Sequence, residues 1–228
     1  MATTSEAHWL PGRFTILLLL LLASILVAPL LGDSLAGRVT LNAFLTLLLL
    51  SGVHAVGLKR WEQVAAWLLV AAGVGVRWTA HGTGSPGLHA IGDALAAIFF
   101  GYVTVELFLY VVRAGRVNMN VLSAALCVYL LLGLTFALTY AALDLWRPGS
   151  FSIPDDIRST DISPFAGRTQ DYIYFSLVTM TTTGFGDIRP VSRIARSFTI
   201  LEILIGQIYL VVMIARLVSS WGGDSKKV

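Results

Sequence analysis

Hydrophobic positions fall in long runs rather than in alternation, and the runs have the length of membrane-spanning helices. A helix needs roughly 20 apolar residues to cross about 30 Å of hydrocarbon. Six stretches qualify: 13–31, 39–58, 62–80, 90–112, 120–142 and 194–219. The first follows Arg13 and is read as a span rather than a cleaved signal, because it is long for a signal core and no small-residue cleavage site follows. Between the fifth and sixth runs the pattern changes. Residues 143–168 are polar and carry Pro148, Pro154 and Pro164, which predicts an irregular loop. About a dozen mostly apolar residues then run from Asp171 to Thr181, too few to span and enough for a half-membrane helix. "TMTTTGFGD" (Thr179–Asp187) follows, then Pro190 and the last run. A short helix that enters and a non-helical strand that returns make a re-entrant loop. Bare backbone at membrane depth is tolerated only where it is buried in protein or lines a wet path.

Composition agrees with this pattern and narrows it. The chain is 56% hydrophobic and 13% charged, with a mean hydropathy of +0.78, which excludes an ordinary soluble domain. The runs use up most of its 228 residues, leaving no room for a sizeable soluble domain. The net charge of +3 lies mostly in loops and gives no support to nucleic-acid binding. The single Cys127 cannot form an intrachain disulfide. The four histidines are scattered, and no metal-ligand spacing, phosphate-binding loop or nucleophile elbow appears. The expectation is a non-enzymatic chain without a cofactor.

Charge also orients the runs. Lys59-Arg60, Arg113, Arg116 and the tail residues Lys226-Lys227 mark the cytoplasmic side, with both termini there. The arginines in 143–193 oppose this, but that segment is long and balanced by aspartates. Trp61, Trp78, Trp146 and Trp221 lie near run ends, where interfacial anchors belong.

Gly184 and Gly186 allow backbone with positive φ, and the negative C-terminal end of the short helix favours a cation at the membrane centre. These residues resemble the signature of the potassium-channel family, Thr-x-x-Thr-Val/Ile-Gly-Tyr/Phe-Gly-Asp. The resemblance extends over about 120–219: Tyr174-Phe175 stand where the family has an aromatic pair on its pore helix, and Gly206 where it often has a hinge glycine. It implies an all-α membrane protein with six transmembrane helices, a re-entrant pore helix and a selectivity-filter loop. In such a filter stacked rings of oxygens replace the hydration shell of the ion. K+ would be coordinated by Thr182, Thr183, Gly184 and Phe185, with Gly186 completing the filter. Asp187 would accept a hydrogen bond from the pore helix, with Tyr174 as donor and Phe175 as further support. One strand per chain cannot make a ring, so the resemblance implies a homotetramer in lipid.

The resemblance implies a potassium-selective channel. Two departures stand out. Thr183 replaces the usual Val or Ile, which leaves a less selective monovalent cation channel as one alternative; a non-conducting membrane scaffold or transporter component is the other. Phe185 replaces the commoner Tyr. In the last run Gln207, Leu210 and Ile214 share a face, and by resemblance that face lines the cavity below the filter. Gly206 is a hinge or a packing site. Glu202 is an acid within a span and should be partnered.

The division expected is 1–119, a four-helix domain at the position of a voltage sensor; 120–219, the pore; and 220–228, a short cytoplasmic tail. A voltage sensor needs several basic residues at every third position of its fourth helix. Run 90–112 has none. Its acids are Glu106 and Asp93, the latter a partner for Arg77 of the third run. Little or no intrinsic voltage dependence follows. The absence of glycosylation sequons leans towards a prokaryotic plasma membrane.

Overall fold

A computed structural model describes residues 13–30, 35–55, 60–115, 117–154 and 168–222. Five helices come first: α1 (Arg13–Leu30), α2 (Leu35–Ala55), α3 (Arg60–Thr83), α4 (Pro86–Arg113) and α5 (Met119–Trp146). A two-residue strand β1 (Phe151–Ser152) precedes the short helix α6 (Arg168–Met180). Strand β2 (Arg189–Pro190) then leads into α7 (Arg193–Gly222).

Local chemistry sets the ends. The expected Gly-rich loop 81–89 shrinks to a tight turn: α3 runs to Thr83, and Gly84, at φ 63°, takes the left-handed position that ends a helix. Pro86 opens α4 with its preset φ and no N–H to satisfy. Asn118 caps α5, its side chain accepting from Val121 N at 2.9 Å. Ser192 Oγ accepts from Ala195 N at 3.1 Å at the start of α7.

Among the described residues three helices are long and apolar enough to cross a membrane: Pro86–Arg113, Met119–Trp146 and Arg193–Ser219. The other three expected spans hold shorter apolar segments, Phe14–Val27, Val39–Val53 and Ala66–Ala80. Among the described residues the protein is mostly helical, with three candidate membrane spans.

The core runs along α4 and α5, with Phe99, Phe100 and Leu107 buried from one and Leu131, Leu134 and Leu138 from the other. Helix α3 packs on α4, and α1 packs on both α2 and α5. Gly52 lets α2 approach α4 closely; a Cβ there would stand 3.1 Å from Phe99 Cε1. Helix α6 lies between α5 and α7.

The all-α expectation needs one small correction. Strands β1 and β2 form an antiparallel ladder, Phe151 opposite Pro190 and Ser152 opposite Arg189. Two residues carry no readable period, so the sequence pattern did not announce it. Ser150 O extends the tie by accepting from Val191 N at 2.8 Å. The ladder folds Phe151 onto α5 and α6, where it meets Tyr140 (5.2 Å between ring centroids), Tyr172 (5.1 Å) and Phe175 (5.6 Å).

Candidate functional site

The short helix α6 ends at Met180, and a non-helical strand returns from it. Three residues of that strand have left-handed backbone: Thr182 (φ 58°), Gly184 (φ 56°) and Gly186 (φ 79°). Thr183 and Phe185, between them, do not. Left-handed backbone suits the two glycines and strains a β-branched threonine. Thr182 is therefore a feature that glycine content could not reveal. Alternation of hand at successive residues turns successive carbonyls towards one side.

Backbone hydrogen bonds tie the strand to the helix it leaves. Thr181 N donates to Leu177 O and Thr182 N to Thr179 O, each at 3.0 Å, and Thr183 N donates to Val178 O at 3.0 Å. Residues 181–186 are exposed in the single chain, Phe185 by 69%. At the far end Tyr174 Oη donates to Asp187 Oδ2 at 2.6 Å, and Asp187 Oδ1 accepts from Ile188 N at 2.9 Å. The Tyr174 bond holds the Asp187 carboxyl below the usual carboxylate range. The same bond pushes the Tyr174 hydroxyl up to about 12. Phe175 points the other way, buried 5.5 Å from the ring of Tyr140.

Behind α6 lies a buried polar cluster. Glu202 of α7 is fully buried, and Tyr140 Oη of α5 donates to its Oε2 at 2.6 Å. Ser176 Oγ of α6 contacts Glu202 Oε1 and donates to Gly133 O of α5 at 2.7 Å. Gly133 makes this approach feasible: a Cβ there would stand 3.1 Å from Leu177 Cδ2. Three helices thus meet at one carboxyl. The acid was readable in the sequence; its partners, 26 and 62 positions away, were not.

Gly206 is buried against the end of α6, where a Cβ would meet Met180 Cε and Cγ at 3.5 Å. The neighbouring Gln207 donates through Nε2 to Met180 O at 3.2 Å. Leu210 is half-buried and Ile214 is 60% exposed further along α7. Tyr209, on the buried face, donates to Ala125 O of α5 at 2.6 Å.

The remaining candidates lie away from this site. Arg77 of α3 forms an ion pair with Asp93 of α4 at 2.6 Å, and its Nε donates to Asn42 Oδ1 of α2 at 2.5 Å. Glu106 is half-buried in α4. Lys59, Arg116 and Lys226-Lys227, used for orientation, lie outside the described residues.

The segment from α5 through α7 also matches a known family. Residues 124–221 match the family described as "Ion channel". That match covers less than half of the chain and makes this segment similar to ion-channel domains. Two pore potassium channel c of Oryza sativa subsp. japonica is 36% identical over 97 residues, 41% of this chain and 17% of the rice protein. Protein LctB of Bacillus caldotenax is 28% identical over 127 residues, 56% of this chain and 92% of LctB. The chain thus spans less than a fifth of the rice relative's length and nearly all of LctB's. No solved structure matches. The matched segment contains α6 and the strand that follows it, the Glu202 cluster and Gly206; the Arg77–Asp93 pair lies before it.

Proposed function

We propose that the chain is a potassium-selective channel, passing K+ down its gradient through a filter formed by residues 182–186. The observation that carries this reading is the alternation of left-handed backbone at Thr182, Gly184 and Gly186, directly after the C-terminal end of a short helix. Carbonyls turned to one side, with the negative end of α6 behind them, suit a dehydrated monovalent cation. Thr182, Thr183, Gly184 and Phe185 supply its oxygens, and the Tyr174–Asp187 bond steadies the outer end.

The ring closes in a homotetramer. In its favour, the strand is exposed in the single chain, and α7 leaves Leu204, Ile208, Val211 and Ile214 uncovered. Gln207, Leu210 and Ile214 line the cavity below the filter. The helices before the channel domain complete a six-span layout with both termini cytoplasmic, in a prokaryotic plasma membrane. They sense voltage little or not at all, since Arg113, in the last turn, is the one basic residue of α4.

The test is flux through the purified full chain in liposomes, comparing K+ with Na+ and Li+. Strong K+ preference with weak voltage dependence is expected. Equal permeation favours a less selective cation channel, the reading that Thr183 raises. No flux of any of these ions overturns the channel reading.

A further inference from the structure

The hydroxyl of Thr183 has a partner. Thr183 Oγ1 lies 3.0 Å from Thr181 Oγ1. Thr181 Oγ1 in turn lies 2.7 Å from Leu177 O, with Val178 O at 3.3 Å as its weaker alternative. Each hydroxyl has one proton to give. Thr181 spends its proton on Leu177 O, whose second lone pair is open beside the bond it already accepts from Thr181 N. Its oxygen is then free to accept, so Thr183 is the donor between the two. The result is a directed chain, Thr183 to Thr181 to Leu177 O, beside the backbone bond from Thr183 N to Val178 O at 3.0 Å.

This chain crosses the strand where its backbone hand alternates. Thr183 stands between Thr182 and Gly184, both left-handed. A hydrocarbon at 183 would rest there by packing alone. A hydroxyl bonded at fixed length to the end of α6 also fixes the rotation of the residue, and with it the direction of its carbonyl.

We propose that Thr181 is a positioning residue, which through the Thr183 hydroxyl sets the orientation of the Thr183 carbonyl and so the discrimination between K+ and Na+. The proposal rests on the filter reading above and deepens it. In place of a β-branched hydrocarbon, the strand is anchored by a hydroxyl relay.

The experiment uses the full chain in liposomes, with the K+/Na+ flux ratio measured for the parent, Thr183→Val, Thr183→Ser, Thr181→Val and the double valine variant. Thr183→Val keeps the shape and removes the donor. It should shift the ratio by roughly three- to tenfold, the range of one neutral hydrogen bond. Thr181→Val should shift it in the same direction, and the double variant should move it no further than the larger single change. Thr183→Ser should restore most of the parent ratio. If Thr181→Val fails to assemble, the contrast between valine and serine at 183 decides, since both leave the Thr181–Leu177 bond in place. A K+-preferring parent whose ratio is the same in Thr183→Val and Thr183→Ser overturns the relay and leaves the channel reading intact; so do additive shifts. A parent that conducts neither ion overturns both.

Discussion

Asp93 of α4 and Glu202 of α7 are both buried, and they are held by different chemistry. Asp93 faces a guanidinium, with Arg77 Nη1 at 2.6 Å and Asn42 steadying the far side of the arginine. Glu202 meets hydroxyls, Tyr140 on one oxygen and Ser176 on the other. An ion pair in an apolar bundle ties three helices with strong, mutually dependent charges, so removing one strands the other. A hydroxyl cage ties three helices with neutral groups, which an amide can pair with nearly as well as a carboxyl. The helices before residue 124 are clamped by charge. The segment from α5 to α7 is held by hydroxyl groups, close packing and small residues.

The largest effect should come from breaking the clamp. Arg77→Ala leaves Asp93 buried without its cation and should cost about 3–5 kcal/mol, read as thermal unfolding of the purified protein in detergent. The double variant Arg77→Met, Asp93→Leu should recover most of that loss. A single variant as stable as the parent would remove the contrast between the two halves.

Next comes the cage. Glu202→Ala deprives Tyr140 Oη of its acceptor and should cost about 1–3 kcal/mol for a buried orphan. Glu202→Gln should lose much less, because its amide accepts from Tyr140 and still pairs with Ser176. Equal losses in both variants would mean that the charge, not the hydroxyl cage, holds Glu202.

Smaller still is Gly206→Ala. Its new Cβ meets Met180 at 3.5 Å, ordinary contact distance, and helix propensity favours it by up to about 1 kcal/mol. Stability should therefore hold or rise. A changed open probability in single-channel recording would identify Gly206 as a hinge, and unchanged gating would identify it as a packing site.

The smallest effect belongs to an exposed bond, Tyr174 to Asp187. The Asp187 carboxyl sits below its ordinary value because the tyrosine donates to it. Its contribution is therefore complete above the ordinary carboxylate range, near pH 4, and is lost as pH falls through the depressed value. Acidification should loosen the outer end of the strand in the parent, and Tyr174→Phe, which lacks the bond, should show that loosening at every pH. Flux measured across an acid titration reads this, and overlapping profiles would leave the bond without a role.

Much of the helical order was legible because hydrophobic runs are long-range signals. Six runs forecast six helices, and the break before Thr179 forecast the short seventh. The glycines at 184 and 186 announced left-handed backbone, since glycine adopts it freely. Thr182, at φ 58°, could not be read this way, because its conformation is imposed by the turn and not by its own preference. Phe151 looked like one aromatic in a polar loop; only the β1–β2 ladder seats it against Tyr172 and Phe175. Partners far apart in sequence, such as Glu202 with Tyr140 and Arg77 with Asn42, depend on helix rotations that residue types alone do not encode.

Near the far end of α7, Arg216 donates through Nη1 to Val112 O and through Nη2 to Ala114 O, both at the end of α4. Those carbonyls belong to the last turn of a helix and just beyond it, where acceptors are left open. The fork makes the end of α4 a load carried by α7. A swing of α7 either takes α4 along, and through Asp93 the ion-paired bundle behind it, or lets go of two hydrogen bonds at once.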